Sequence, residues 1–350
     1  MKTLSINGRE VGSGQPTLVI AEIGVNHDGS VSKAIELVRI AAACGADAVK
    51  LQIFRATSLM HATATLAAYQ EGRSLDSHPI DMLRRYELSQ ADLRRIIQEI
   101  RERKMIPLAT PFSPGDLETI DSLRLPAIKI ASPDLVNLPL LAAAVRLDKP
   151  LLLSTGAAEM AEVDTTVGWL RERAAQFALL HCVSSYPTPA AQANLSWIIE
   201  LGQRFDVPVG YSDHTMEILS GALAAAAGAS VIERHLTFDR AAKGPDHAAS
   251  SDPAQFERYV KFVREADVLR GVCGKHVLDI ELDVRLASRQ SLVVRRALKI
   301  GEMLREEDLT VQRPGTGLPA AQITQAVGRR VLKPVSAGSL LQWDMFTDAA

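Results

Sequence analysis

Two histidines each close a short apolar run: His214 in Pro208-Val-Gly-Tyr-Ser-Asp-His-Thr215 and His235 in Val231-Ile-Glu-Arg-His-Leu-Thr237. One Ala-rich helical stretch, residues 218–229, separates the runs. A parallel β-α-β crossover would set both imidazoles side by side at the carboxyl ends of neighbouring strands. Beside Asp213 and Glu233, such a pair suits a divalent cation with open water positions, which is a catalytic rather than a closed structural metal site. A hydrogen-bonded pair of core histidines is the alternative. Lys50 and Lys129 lie inside other apolar runs, where an unpaired ammonium costs several kcal/mol. Three roles satisfy that constraint. They are structural ion pairs with Glu22 and Glu233, a Schiff-base lysine, and an anion site shared with hydroxyls and the backbone N–H groups of Ser154-Thr-Gly156. Phosphoenolpyruvate carries the phosphate and carboxylate that two such lysines would hold.

The elements that must position these groups are eight short β-branched runs: residues 18–24, 48–54, 106–112, 127–132, 150–156, 177–183, 208–213 and 231–237. Between them, segments such as 32–43 and 90–103 repeat apolar residues at three- and four-residue steps, as amphipathic helices do. Eight β-α units over roughly 250 residues predict a closed (β/α)8 TIM barrel, an α/β fold, in preference to a doubly wound sheet. In such a barrel the active site lies at the carboxyl ends of the strands. Every strand places a polar group there: Glu22, Lys50 with Gln52, Thr110, Lys129 with Ser132, Ser154, Ser184 with Tyr186, Ser212 with His214, and Glu233 with His235. His181, between Leu180 and Cys182, reads as a core histidine, whereas His27 is either a ligand or a supporting group. Of the remaining histidines, in loops or connections, His247 in Gly244-Pro-Asp-His-Ala248 adjoins a functional feature.

After a last barrel helix at 256–269 the periodicity breaks, and from about Asp283 a compact β-rich module follows. It has strand-like runs at 291–296 and 328–335, a turn at 299–302 and a helical turn at 305–309. The expected division is a catalytic barrel over 1–275, a linker over 276–288 and a second domain over 289–350. With 350 residues, 47% of them hydrophobic, the chain can fill a large core. A net charge of −2 offers no field for nucleic acid or an anionic membrane, so the expected partner is a small molecule. No apolar run has signal-peptide or membrane-span length, which predicts a cytoplasmic protein. Three widely spaced cysteines, odd in number and without CxxC spacing, argue against a disulfide framework and a zinc cluster, and Cys44 and Cys182 read as small buried apolar residues.

The chain resembles the sialic acid synthase family, the phosphoenolpyruvate-dependent nonulosonate synthases. The likeness runs through Ala21-Glu-Ile-Gly-Val-Asn-His27, Gly45-Ala-Asp-Ala-Val-Lys-Leu-Gln52, Thr110-Pro-Phe-Ser113, Lys129-Ile-Ala-Ser132, Leu153-Ser-Thr-Gly156, Leu180-His-Cys-Val-Ser-Ser-Tyr-Pro-Thr-Pro189, Tyr211-Ser-Asp-His-Thr215, Ile232-Glu-Arg-His235 and Gly244-Pro-Asp246. The tail resembles the antifreeze-like SAF (β-clip) domain of these synthases, with Val311-Gln-Arg-Pro-Gly315 as its signature. The resemblance implies condensation of phosphoenolpyruvate with the open-chain aldehyde of an N-acetylmannosamine-type sugar. It implies Lys50, Thr110, Lys129, Ser132, Ser154, Ser184 and Ser212 around phosphoenolpyruvate, and His214 and His235 on Mn2+ or Mg2+. Glu22 would handle proton and water chemistry, and Gln52, Tyr186, Asp246 and Arg313 would contact the sugar. Arg313 would come from the partner of a domain-swapped homodimer.

Ser184 stands where sialic acid synthases commonly have Asn, and Leu66-Ala-Ala-Tyr-Gln70 and the loop to Leu83 resemble synthases of analogues such as legionaminate. Spore-coat polysaccharide synthesis proteins share most of the barrel motifs too, so the acceptor sugar stays open. A metal-dependent pyruvate aldolase is the rival enzyme, needing the histidines but not the whole cradle. An ice-binding module on an inert barrel is the non-enzymatic rival, and it leaves the polar strand ends without purpose.

Overall fold

The computed structural model describes residues 3–61, 63–65, 78–271 and 274–347. The chain divides into two compact units, 1–272 and 273–350. In the first, eight parallel strands close on themselves: β3 (Leu18–Glu22), β4 (Ala48–Ile53), β5 (Ile106–Pro111), β6 (Ile128–Ile130), β7 (Leu151–Ser154), β8 (Phe177–Cys182), β9 (Val209–Asp213) and β10 (Val231–His235), with β10 pairing back onto β3. That closure is the expected TIM barrel and excludes an open doubly wound sheet.

Alternation along each strand sorts the side chains. Val19, Ala21, Val49, Leu51, Leu151, Leu153 and Ile232 face outward, into a core shared with helices such as Gln90–Glu102. That helix buries Leu93, Ile96, Ile97 and Ile100 on one stripe, and the Ser89 hydroxyl caps it by accepting from Asp92 N. A second apolar cluster joins Leu18, Ile20, Ala48, Ile106, Leu108, Leu152, Ala178, Leu180 and Val231. These are the alternate positions of the strands, so they fill the barrel interior. Leu4, Ile6 and Val11 complete this cluster from an amino-terminal hairpin, β1 (Thr3–Ile6) and β2 (Arg9–Gly12), that the strand pattern did not anticipate. Burying Ile6 and Val11 contributes about 1.5–3 kcal/mol each.

The second unit pairs β11 (Ser291–Val294) with β12 (Leu309–Gln312) antiparallel, over a core of Leu292, Val294, Leu298, Leu304, Leu309, Val331 and Phe346. A continuous strand over 328–335 does not form. Bridges at Arg330, Val331 and Val335 take its place, interrupted at Pro334, which has no N–H to donate. The stretch 276–288 contains a short helix, Leu282–Ser288. Among the described residues no helix is long and apolar enough to cross a membrane.

Candidate active site

Each interior row of the barrel continues from apolar to polar toward the carboxyl end. Two residues beyond Ile20, Ala48, Leu108, Leu152 and Val231 stand Glu22, Lys50, Thr110, Ser154 and Glu233. Lys50 Nζ pairs with Glu22 Oε2, lies 3.7 Å from Glu233 Oε2 and donates to Thr110 Oγ1 at 2.9 Å. Lys129 Nζ donates to Ser154 Oγ at 2.6 Å and lies 3.9 Å from Glu233 Oε1, which also accepts from Ser212 Oγ at 2.9 Å. The structural ion pairs are therefore real. They do not exhaust the lysines, because both also line a cavity of about 370 Å³ at this end of the barrel.

Around that cavity stand Gln52, Thr110, Ser132, Ser154, Ser184, Tyr186, Ser212, His214, His235 and Asp246. Glu22 is not among its lining residues; its carboxylate lies behind Lys50 and accepts from Gln52 Nε2 at 3.3 Å. Arg313 is exposed and belongs to the second unit. Gly156 keeps one wall open: a Cβ there would collide with Ser184 Oγ and come within 2.8 Å of Ser132 Oγ. Its N–H donates to Ser132 Oγ at 3.0 Å.

Burial works against the charge of both lysines. For Lys50 the neighbouring carboxylates outweigh it, and the pKa is raised. For Lys129 burial wins over Glu233, with Lys50 adding repulsion, and the pKa is lowered. Burial likewise raises the Glu22 carboxyl, against the pull of Lys50. Glu233 is buried too, but Lys129, Lys50 and His235 bring it down to about 2.

The two imidazoles sit 5.5 Å apart between ring centroids, with Tyr186 4.0 Å from His214 and 5.9 Å from His235. His214 Nδ1 donates to Val183 O at 2.8 Å, which leaves Nε2 for another ligand. Burial, His214 and Lys50 hold His235 neutral, its pKa lowered to about 3.

A model of the NeuB family matches residues 37–275, and one of the SAF domain matches residues 289–347. The N,N'-diacetyllegionaminic acid synthase of Legionella pneumophila is 38% identical over 97% of both chains. The N-acetylneuraminic acid synthetase of Leptospira borgpetersenii, solved with citrate, superposes with a TM-score of 0.74 at 29% identity, covering 81% of this chain and 95% of that one. A putative spore coat polysaccharide biosynthesis protein E from Chromobacterium violaceum does so with a TM-score of 0.81 at 25% identity, covering 95% and 99%. The chain belongs to the NeuB family. Relatives covered over nearly their whole length include N,N'-diacetyllegionaminic acid and pseudaminic acid synthases, and the tail of this chain is a SAF domain.

This NeuB-family site contains groups that the motifs did not single out. Cys182 is buried as expected but also lines the cavity, its Sγ 3.7 Å from His214 Nδ1; counting by twos from Leu180 would have placed it there. Cys44, by contrast, is only half-buried. Val25, Met82, Leu83 and Phe112 form an apolar side of the cavity, and all four come from segments outside the strands, Phe112 directly after β5. His181 is the expected core histidine, its Nε2 2.7 Å from Ala193 O. His27 is buried away from the cavity, where its Nδ1 accepts from Gly29 N. His247 is buried as well, with Nδ1 2.6 Å from Thr237 Oγ1 and Nε2 3.0 Å from Asp28 Oδ1, and it ties the segment carrying Asp246 to the turn after β3. Of the stretch from 66 to 83 that carried the legionaminate likeness, residues 66–77 lie outside the described residues.

His214 and His235 are the residues that would hold a cation here. His235 is held neutral, whereas against burial the Cys182 thiol, the Val183 carbonyl and Glu233 push His214 up to about 8, so an ion would bind in exchange for the His214 proton. With two protein imidazoles, the remaining positions would fall to water or substrate oxygens.

Proposed function

We propose that this protein condenses phosphoenolpyruvate with the aldehyde of an N-acetylated mannosamine-type sugar, releasing phosphate and a nine-carbon 2-keto acid. The observation that carries this reading is the collection of two lysines, the hydroxyls of Thr110, Ser132, Ser154, Ser184 and Ser212, and two imidazoles around one cavity. A pyruvate aldolase would need the imidazoles but has no use for so many anion-binding groups.

In this reading Lys50 and Lys129 hold the phosphate and carboxylate, with the hydroxyls completing their hydrogen bonds. Carbon-3 of the enol bonds to the aldehyde carbon, whose oxygen takes up a proton. Water adds at carbon-2 and phosphate leaves. Glu22 acts through Lys50 Nζ and Gln52, since its carboxylate lies behind both. A Mn2+ or Mg2+ ion on His214 and His235 would supply Lewis-acid polarisation of the aldehyde oxygen. Tyr186 and Asp246 would face the sugar from the same side as His235, whose Nδ1 lies 3.8 Å from Asp246 Oδ2. Arg313 is assigned to the acceptor in a second copy's barrel. Mixing an Arg313→Ala chain with a Lys129→Ala chain should then restore part of the activity that each lacks, and no recovery overturns that assignment.

The apolar side formed by Val25, Met82, Leu83 and Phe112 favours a 2,4-diacetamido-6-deoxy acceptor over N-acetylmannosamine. A methyl in place of a hydroxymethyl, and a second acetamido methyl, would be buried there at about 25 cal/mol per Å2 of apolar surface. Phosphate release from phosphoenolpyruvate with Mn2+ and each sugar tests both levels. Faster release with the deoxy sugar supports a legionaminate-type synthase, faster release with N-acetylmannosamine supports a sialic acid synthase, and none with either overturns the reaction.

A further inference from the structure

The cavity accounts for the inward-facing residues of β9 and β10, but the strongest polar network of these strands lies on their other face. Asp213 and Arg234 are register partners on the outer side of the barrel wall, with side chains 0% and 3% exposed. Arg234 Nη1 donates to Asp213 Oδ2 at 2.8 Å, and its guanidinium lies over the Tyr259 ring, 4.4 Å from the centroid. Tyr259 OH donates to the same Oδ2 at 2.8 Å, and Ser220 Oγ also reaches it. Neither charged group touches the cavity.

Each member of the pair directly precedes one of the two cavity histidines, and each is tied to the backbone just beyond it. Asp213 Oδ1 accepts from Thr215 N at 2.8 Å, closing a turn around His214. Arg234 Nε donates to Ser251 Oγ at 2.6 Å, and Ser251 N donates to His235 O at 2.9 Å. Arg234 Nη1 further donates to Glu217 O at 2.9 Å, in the segment that follows His214. One guanidinium thus reaches Asp213 and Glu217, on either side of His214, and Ser251, whose N–H holds the His235 carbonyl.

A buried ion pair is a poor device for stability alone, because apolar residues of similar volume often serve as well. What it supplies is a fixed, directional separation. We infer that the Asp213–Arg234 pair is a positioning device that sets the spacing of His214 and His235 for a shared divalent cation, an inference that rests on the metal-binding reading of these histidines. Supporting groups of this kind are worth ~10–100-fold in metal affinity.

The test is Mn2+ binding to the full-length protein, read from the electron paramagnetic resonance signal of free Mn2+, with phosphoenolpyruvate binding measured calorimetrically in chelator. Arg234→Met should weaken Mn2+ binding at least ~10-fold and leave metal-free phosphoenolpyruvate binding within about twofold. Arg234→Lys should recover part of the affinity, since an ammonium can reach Asp213 but cannot also span Ser251 and Glu217. A folded Arg234→Met protein with wild-type Mn2+ affinity and only a lower melting temperature overturns the inference. Should that variant not fold, Ser251→Ala removes one arm alone, and unchanged affinity there is equally decisive. His235→Ala separates the two claims: if it binds Mn2+ like the wild type, the metal reading fails and the inference with it, whereas its loss beside an unaffected Arg234→Met removes the positioning device alone.

Discussion

The two ends of the barrel interior obey one alternation and carry opposite chemistry. At the amino ends Leu18, Ala48, Ile106, Leu152 and Val231 meet Ile6 and Val11 of the hairpin in a buried apolar cluster. Two to four residues further along the same faces stand Glu22, Lys50, Thr110, Ser154 and Glu233. Burial alone does not separate these layers, since Ile20 is 0% exposed and Glu22 1%. What differs is how the buried groups are satisfied: the lower layer by contact, the upper by mutual charge and by whatever ligand fills the cavity. A perturbation at one end should therefore have a different signature from one at the other.

The largest effects belong to the upper end. His235→Ala should lower metal-dependent kcat on the order of 10²–10³-fold, the range for losing one electrostatic stabiliser of a transition state, with the unfolding transition little changed. Full activity in the mutant, measured by phosphate release, would remove the histidine pair from the mechanism. Lys50→Met should combine loss of turnover with a stability cost of about 3–5 kcal/mol, because Glu22 and Glu233 would be left with Lys129 as their neighbouring cation. Urea denaturation at pH 7 measures the second quantity. A cost near zero would mean that the carboxylates find other partners.

The lower end should answer in stability only. Ile6→Ala opens a cavity under the barrel and should cost toward the lower end of the ~2–5 kcal/mol expected for such truncations, since a hairpin can partly follow the lost volume. The KM for phosphoenolpyruvate should not move. A raised KM would show that the plug is felt at the cavity, and the contrast between the two ends would fail.

This contrast also explains what was legible in the sequence. All eight barrel strands could be read, because each is a β-branched or apolar run bounded by turn residues, and period-two counting then selected Lys50, Lys129, Glu233 and His235 as inward-facing. The hairpin was missed although Asn7-Gly8, with both residues at positive φ, is a strong two-residue turn signal; its four-residue strands carry too few apolar residues to stand out. The apolar side of the cavity was missed for another reason. Val25, Met82 and Leu83 lie outside the strands, where no periodicity says which way a side chain points. The Asp213–Arg234 pair was obscured by its neighbours, since a charged residue next to a cavity histidine reads as part of the site until the register turns it outward.

The smallest effect sharpens the comparison at the rim of the polar end, where His27 is buried without lining the cavity. Burial lowers its pKa from 6.5 to about 4, with Asp28 opposing and His247 reinforcing the shift. The neutral imidazole is thus favoured by folding, and the unfolded chain binds the extra proton first as pH falls. The contribution is fully present above about pH 6.5 and is lost as pH drops toward 4. By pH 5.5 the loss should be about 1 kcal/mol. In His27→Gln this share of the slope between pH 7 and 5.5 should disappear from urea midpoints, while the remaining buried histidines keep theirs. An unchanged slope would mean that the His27 pocket admits the charged ring, with Asp28 or water compensating, and that burial at this rim is more permissive than burial among the apolar layers below.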